Sequence, residues 1–270
     1  MARIAAGVEY HGAAYCGWQS QPAAPSVQAR VEQALSRVAD SPVAVVCAGR
    51  TDAGVHALSQ VIHFDTEARR AERAWVLGAN SHLPPDISLR WARPVPQDFH
   101  ARFSATARAY RYLILNRGVR PAVGGGLALC VYQRLDAGAM QAAAELLVGE
   151  HDFSAFRAAE CQARSPVRRI RSLSVRRDGE LLVVDVTANA FLHHMVRNIV
   201  GLLLVVGKGE APPSRAAEQL QSRNRASGEA TAAAHGLYLS RVEYPGQFGL
   251  PDESAIIAPL ITTGGSHVLV

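Results

Sequence analysis

The chain has few cysteines and no apolar run long enough to cross a membrane. Its four cysteines include no CxxC pair and no zinc-ligand spacing, so the sequence predicts no disulfide framework. The longest apolar stretch covers residues 199–206, whereas a transmembrane helix needs roughly 20 residues. Glu9 and His11 also interrupt the apolar core that a signal peptide requires. We therefore expect a soluble, cytoplasmic protein that does not bind membranes.

Lysine and the signatures of several enzyme classes are also missing. Only Lys208 among the 28 basic residues is a lysine. Arginine binds phosphate in a bidentate manner and stacks on bases, although a genome rich in G and C also favours arginine over lysine. The net charge of +5 favours an anionic partner. The sequence contains no P-loop, no GxGxxG motif and no GxSxG nucleophile elbow.

Apolar periodicity predicts the element order β-α-β-β-α-β twice, which is the ferredoxin-like plan. In the first half, strands are predicted over 2–9, 43–49, 58–65 and 87–95, with helices over 26–39 and 71–82. In the second half, strands are predicted over 106–116, 168–177, 180–188 and 237–244, with helices over 136–148 and 191–207. Residues 118–127 and 157–167 are predicted loops.

These elements predict an α+β protein of two tandem ferredoxin-like (βαββαβ) subdomains that form a central cleft. The first subdomain is expected over residues 1–100 and the second over residues 101–270. Residues 246–270 show no convincing periodicity, and the sequence predicts no role for them.

A polar block, GRTDAGVHA at 49–57, lies between the apolar run 43–48 and the alternating run 59–64. Such flanks predict a loop between a buried strand and a half-buried strand. Asp52 and Arg50 are two residues apart on this loop, and they could be held near the core, where a carboxylate is chemically useful. A solvated turn is the alternative, because Asp and Gly are common in turns.

Tyr110 and Tyr112 are two residues apart on the strand predicted over 106–116, so they share one face. Arg108 and Arg111 are expected on the opposite face. An aromatic side chain that faces a cleft can stack on a base. A tyrosine in a strand is more commonly part of the core, and at least one of the two is expected to be so.

Arg197 is the charged exception in the apolar helix predicted over 191–207. A buried charge needs a partner, and Asp52 is the carboxylate that we propose for it. The alternative is that Arg197 lies on the exposed face of the helix. His193 and His194 are adjacent on this predicted helix, so they are expected to point in different directions and to bind no metal.

Basic residues concentrate in three clusters that could flank one cleft and bind a folded polyanion. A solvated surface is the alternative interpretation. The clusters are Arg157, Arg164, Arg168, Arg169 and Arg171; Arg69, Arg70 and Arg73; and Arg102, Arg108 and Arg111.

Five motifs resemble those of the tRNA pseudouridine synthase A family, the tRNA pseudouridine(38-40) synthases. They are GRTDAGVH at 49–56, RFSATARAYRY at 102–112, DFSAFR at 152–157, ANAFLHHMVRN at 188–198 and GLYL at 236–239. The motifs occur in the family's order, and the resemblance covers about residues 3–245. One motif could arise by chance, but five in order could not plausibly do so.

The resemblance implies a pseudouridine synthase fold and a homodimer that needs no metal and no organic cofactor. It implies a tRNA-processing isomerase that converts uridine to pseudouridine at positions 38, 39 and 40 in the anticodon stem-loop of tRNA. By this resemblance Asp52 is the nucleophile, Arg50 displaces the target base and Tyr110 stacks on the uracil. Arg197 would pair with Asp52, and Leu237 would line the uracil pocket.

Further residues match places where the family touches tRNA. They are Arg70, Phe99, His100, Ala101, Arg102, Phe103, Glu160, Cys161, Gln162, Ala163 and Arg164. Ala109 departs from the family's pattern, because relatives often carry a basic residue at this place, and this puts one phosphate contact in doubt.

The residues also leave two other functions open. A non-catalytic RNA-binding module would use a ferredoxin-like sheet, although the RNP-type aromatic run is missing. A metal-dependent hydrolase would use His56, His63 and Asp52 as ligands. The ordered motifs favour the isomerase.

Overall fold

The computed structural model describes residues 1–251, which form a mixed α+β structure with two compact units. The first unit contains Met1–Arg108 and the described residues from Tyr238 onward, and the second unit contains Ala109–Leu237. The division predicted after residue 100 differs from these units, because the last strand belongs to the first unit. The predicted second subdomain extends to residue 270, and its residues 252–270 lie outside the described part of the chain.

The helices and strands follow the predicted order closely. The strands are β1 (Ala2–Tyr10), β2 (Val46–Cys47), β3 (His56–Thr66), β4 (Ile87–Val95), β5 (Ala107–Asn116), β6 (Leu129–Val131), β7 (Gly149–Asp152), β8 (Val167–Asp178), β9 (Leu181–Ala188) and β10 (Leu237–Glu243). The α-helices are α1 (Val27–Ala39), α2 (Glu72–Asn80), α3 (Ala137–Glu145), α4 (Met195–Gly207) and α5 (Arg215–Ser222). The sequence did not predict β6, β7 or α5.

In the first unit, β1 lies between β3 and β4 and is antiparallel to both. The far edge of β3 takes two partners. Its end pairs with the antiparallel β2 at His63 and Ile62, and its start pairs with the parallel β10 at His56 and Ala57. The strand order β4-β1-β3-β2 therefore places the loop between β2 and β3 beside β10. The α+β class is confirmed, while the tandem ferredoxin-like description stays a prediction.

Helix α1 is capped by Ser26, the first residue of the predicted helix, whose hydroxyl accepts a hydrogen bond from the Ala29 amide at 3.4 Å. Its buried side chains include Val27, Val31 and Leu35, which recur at helical spacing. The helix ends at Asp40 in the left-handed conformation, with φ of 55°. The first-unit core contains Trp18, Phe64 and Trp75, each at most 1% exposed, among its largest side chains.

Two predictions for the first unit need correction. The strand predicted over 43–49 is reduced to two residues, because the Val43 and Val45 amides donate to Ser36 Oγ and Glu32 Oε1 of α1 instead of to a strand. Strand β3 was expected to be half-buried, yet every residue of it except Asp65 is buried. Alternation along the chain cannot show that both faces of a strand are covered.

The second unit has the strand order β5-β9-β8-β7, and β6 runs parallel to the end of β5. Strands β8 and β9 form an antiparallel hairpin, in which Gly179 adopts a φ of 57°. Helix α3 is capped by Asp136, whose carboxylate accepts hydrogen bonds from the Gly138 and Ala139 amides.

Helix α4 begins four residues later than predicted, at Met195. His194 has a φ of 61°, and this left-handed conformation cannot continue a right-handed helix. His193 and His194 therefore precede the helix, and their ring centroids lie only 4.0 Å apart. The prediction that they point in different directions was wrong. Within residues 1–251, no helix is long and apolar enough to cross a membrane.

Candidate active site

The polar block forms the predicted loop between β2 and β3, and we call residues 48–55 the Asp52 loop. Side-chain exposure alternates along it: Arg50 is exposed, Thr51 is buried and Asp52 is half-buried. The solvated-turn interpretation does not fit this pattern, because Thr51 is only 7% exposed. Among residues 1–251, the Arg50 guanidinium has no hydrogen bond or ion pair, and it is therefore available to a ligand.

Both ends of the Asp52 loop are tied to the protein. At its start, the Gln60 side chain accepts from the Gly49 amide at 3.3 Å and donates to the Gly49 carbonyl at 2.6 Å. Gln60 is completely buried, so its carboxamide acts as a strand partner where the β2 ladder has ended. At the loop's end, the Gly12 turn approaches so closely that a Cβ on Gly12 would lie 2.0 Å from the Val55 carbonyl oxygen.

His56 and His63 do not form the metal site that the hydrolase hypothesis requires. They are seven residues apart, which is roughly 20 Å along β3, so one ion cannot bind both rings. His56 Nδ1 accepts from the Gly12 amide at 2.9 Å, and His63 Nδ1 accepts from the Ala101 amide at 3.1 Å. At both places a backbone amide uses the Nδ1 lone pair, so Nε2 carries the proton of the neutral ring and is not free to bind a metal.

The predicted RNA-contacting segment 99–103 combines buried and exposed residues. Phe99 and Ala101 are completely buried, so their side chains support the segment and do not face solvent. Phe103 is 76% exposed. Its ring stacks on His100 with centroids 4.3 Å apart, and the Arg102 guanidinium lies 5.6 Å from its centroid. The exposed part of this segment is therefore an aromatic and cationic platform.

His63, which holds the segment 99–103 through the Ala101 amide, makes the stability of the fold sensitive to pH. Burial, with the charges of Arg3 and His100, lowers the pKa of His63 from 6.5 to about 4, while Asp65 opposes this shift. The unfolded chain binds the proton more tightly, so the stability that neutral His63 contributes is complete above pH 6.5 and is lost as the pH falls towards 4. We expect wild type to lose about 2 kcal/mol more stability than His63→Asn between pH 7 and pH 5 in urea unfolding.

His82→Asn is the matched control, because His82 is an exposed histidine of the same unit. Its pH dependence should equal that of wild type. If His63→Asn lost stability with acid as steeply as wild type, His63 would not be the group responsible.

Tyr110 and Tyr112 lie on one face of β5, as predicted, and both are buried. Tyr110 is 9% exposed, and the Phe191 ring meets it edge to face with centroids 5.0 Å apart. Tyr112 fits the expectation that at least one of the two tyrosines belongs to the core. It is completely buried, and its hydroxyl donates to the Ala233 carbonyl at 2.8 Å.

The two arginines of this strand are not placed as predicted. Arg108 is two residues before Tyr110 and therefore shares its side of the strand. Its guanidinium donates to the Ala48 carbonyl at 3.0 Å. Only Arg111 lies on the opposite face, where it forms a bidentate ion pair with Asp185 at 2.7 and 3.2 Å. These two arginines are engaged within the protein.

Arg197 lies in the first turn of α4 and is half-buried. Its Nε donates to the Ala232 carbonyl at 2.8 Å, and the Ala232 amide donates to the Arg197 carbonyl at 3.1 Å. Arg197 and Tyr112 together hold residues 232–233 by hydrogen bonds. The chain continues from there to Leu237, which is 5% exposed. The pairing of Arg197 with Asp52 stays a prediction.

A family model described as tRNA pseudouridine synthase matches residues 6–104 and 143–245. The chain belongs to the tRNA pseudouridine synthase family. It is therefore an enzyme, an isomerase that forms pseudouridine in tRNA. The family assignment that the five motifs predicted is confirmed.

Relatives of this family match over most of the chain. The tRNA pseudouridine synthase A of Nitrosococcus oceani is 57% identical over 249 residues, which is 92% of this chain and 96% of the relative. That of Enterobacter sp. (strain 638) is 55% identical, covering 92% of each protein. That of Pseudomonas aeruginosa is 54% identical, covering 93% of this chain and 89% of the relative.

Solved structures match far more weakly. An archaeal box H/ACA sRNP Nop10-Cbf5 complex aligns with a TM-score of 0.34 and 14% identity, covering 74% of this chain and 44% of that chain. A match at this level does not contribute to the assignment.

The remaining predicted tRNA contacts of this synthase lie mainly at the surface. Arg70 is exposed, and its guanidinium donates to the Val38 and Arg69 carbonyls. In the segment 160–164, Glu160, Gln162 and Arg164 are exposed, whereas Cys161 and Ala163 are half-buried. The Arg157 guanidinium donates to the Cys161 carbonyl at 3.3 Å and supports the segment. Their contact with tRNA stays a prediction.

Sequence reasoning missed the residues that hold the Asp52 loop. Tyr10, Trp18 and Gln60 all bond to it, yet none was singled out. Gln60 carried a usable signal, because it alternates with Ile62 and Phe64 on one strand face, and a polar side chain on a buried apolar face needs a partner. Tyr10 and Trp18 carried none, because their partner is distant in the chain.

Proposed function

We propose that this enzyme isomerises uridine to pseudouridine at positions 38, 39 and 40 of the tRNA anticodon stem-loop, with Asp52 as the nucleophile and without a cofactor. We further propose that it acts as a homodimer in the cytoplasm. The observation that carries the catalytic assignment is the position of Asp52. Its carboxylate is half-buried on a loop whose neighbouring residue, Thr51, is buried and hydrogen-bonded.

A carboxylate on such a loop suffices for the chemistry. The N1–C1′ bond breaks, the uracil turns, and a C5–C1′ bond forms; C5 loses its proton and N1 gains one. Nothing is oxidised, so no redox partner or energy donor is required. Asp52 either attacks C1′ to give a covalent ribosyl intermediate or removes a ribose proton to give a glycal.

The other residues supply what the carboxylate cannot. Removing a base from its stack costs a few kcal/mol, and the exposed guanidinium of Arg50 suits a wedge that takes the place of that base. The uracil is proposed to stack on the Tyr110 ring, whose orientation is held by Phe191. Leu237 is proposed to line the pocket that retains the detached uracil, and Arg197 to pair with the Asp52 carboxylate.

Release of tritium from 5-³H-uridine tRNA tests the proposal, because loss of the C5 hydrogen reports the isomerisation. We expect release from stem-loops with a single uridine at position 38, 39 or 40, and none when those positions are cytidine. A chelator should leave the rate unchanged. Release only from uridines elsewhere would overturn the site assignment, and loss of activity in chelator would overturn the cofactor-free mechanism.

A further inference from the structure

Thr51 is the buried member of the stretch Arg50–Ala53 in the Asp52 loop. Its Oγ1 lies 2.7 Å from the Tyr10 hydroxyl, and either oxygen could donate the hydrogen bond. Tyr10 is 3% exposed and belongs to β1, at the centre of the first-unit sheet. The contact therefore joins the loop directly to a strand that is paired on both sides.

The main chain of Thr51 is held as well. Its carbonyl accepts from the Trp18 amide at 3.0 Å. This approach requires glycine at position 17, where φ is 93° and a Cβ would lie 2.6 Å from the Thr51 carbonyl oxygen. Trp18 is 1% exposed, and its ring centroid lies 5.8 Å from that of Tyr10. Side chain and main chain of Thr51 are thus fixed to two elements that pack on each other.

We infer that Thr51 and Tyr10 are positioning residues for the reaction, and that their buried hydroxyl pair sets where the Asp52 carboxylate is presented. Exposure alternates over Arg50, Thr51 and Asp52, so anchoring Thr51 in the core leaves the side chains of its two neighbours directed away from it. The inference rests on the proposed role of Asp52 as the nucleophile. Beyond that role, the hydrogen bond between Thr51 and Tyr10 governs the distance from Asp52 to C1′, although neither hydroxyl contacts the substrate.

The expected effect is on turnover more than on binding. A displacement of about 1 Å at a reacting group can cost roughly 100-fold in rate, whereas the exposed platform at Phe103 does not depend on Thr51. Removing one hydroxyl also leaves the other buried without its partner, which favours a shifted loop. We therefore expect lower kcat with little change in KM.

Four variants test this. Thr51→Val and Tyr10→Phe each remove one hydroxyl at nearly constant shape, Thr51→Ser keeps the hydroxyl, and the fourth combines Thr51→Val with Tyr10→Phe. In tritium-release assays, we expect the two single variants to lower kcat by about 10- to 100-fold with KM within about threefold of wild type. Thr51→Ser should restore most of the rate, and the double variant should be no slower than the slower single variant.

Ser36→Ala is the matched control for a general loss of stability. It removes a first-unit hydroxyl that donates to the Glu32 carbonyl and accepts from the Val43 amide, and it should lower the unfolding temperature without lowering kcat. Should Thr51→Val fail to fold, Tyr10→Phe decides the question alone.

Wild-type kcat in folded Thr51→Val or Tyr10→Phe would overturn the inference, as would a Thr51→Ser variant as slow as Thr51→Val. Losses that multiply in the double variant would show that the two hydroxyls act separately and would also overturn it. The proposed function fails differently. It fails if Asp52→Asn stays active, whereas an inactive Asp52→Asn beside a fully active Thr51→Val removes only the positioning pair.

Discussion

Asp52→Asn is expected to lower pseudouridine formation by about 10⁴-fold or more, as removal of a catalytic carboxylate does in other enzymes. The amide neither attacks C1′ nor accepts a ribose proton, so both routes are blocked. The size of the side chain hardly changes, and the loop is held to the rest of the protein through Gly49, Thr51 and Gly54. Folding and tRNA binding should therefore survive. Tritium release measures the rate, and filter binding measures the affinity for tRNA.

Asp40→Asn provides the matched control for the same chemical change. Asp40 is exposed at the end of α1 in a left-handed conformation that asparagine also adopts. It should retain wild-type activity. Activity of Asp52→Asn above about a tenth of wild type would remove Asp52 from the mechanism. Loss of tRNA binding together with activity would assign Asp52 to RNA binding or to the integrity of the loop.

Gly201→Ala is expected to destabilise the protein by about 3 kcal/mol, which is the upper end of the usual cost of overpacking. A Cβ at Gly201 in α4 would lie 2.0 Å from the Ala230 carbonyl oxygen. That backbone cannot withdraw easily, because Ala232 nearby exchanges two hydrogen bonds with Arg197. The expected fall in unfolding temperature is about 6–12 °C, measured by calorimetry.

Gly207→Ala in the same helix is the matched comparison. A Cβ there would lie 2.7 Å from Met140 Sδ, and a flexible methionine side chain can move. Alanine also has the higher helix propensity, by about 1 kcal/mol. We expect stability within about 1 kcal/mol of wild type. Equal effects of the two substitutions would mean that helix propensity and not the approach of residue 230 controls this helix.

The parts of the fold that were predicted well depend on local chemistry. Ser26 and Asp136 are the first residues of the helices predicted over 26–39 and 136–148. They cap α1 and α3, because their side chains bond to amides two or three residues away. The boundaries of β4 were predicted to the residue. The start of α4 was predicted too early. His194 has a left-handed conformation, and nothing local in the sequence distinguishes such a histidine from one inside a helix.

The candidate site shows the same division. The motif around Asp52 and its place between two strands were readable from the chain. The use of His63 as an acceptor for the Ala101 amide was not, and neither was the engagement of Arg111 by Asp185. Each of these pairs joins residues far apart in the sequence, so periodicity and spacing carry no information about them.

The sequence by itself determined the family, the order of helices and strands, and the acid that is proposed to act. These follow from motifs and from patterns repeated every two or nearly four residues. Only the tertiary structure decided that Thr51 is anchored on Tyr10, 41 residues earlier, and that β10 pairs with β3 of the first unit. The physical reason is that such contacts arise from packing and hydrogen bonding between distant segments, which become neighbours only when the chain has folded.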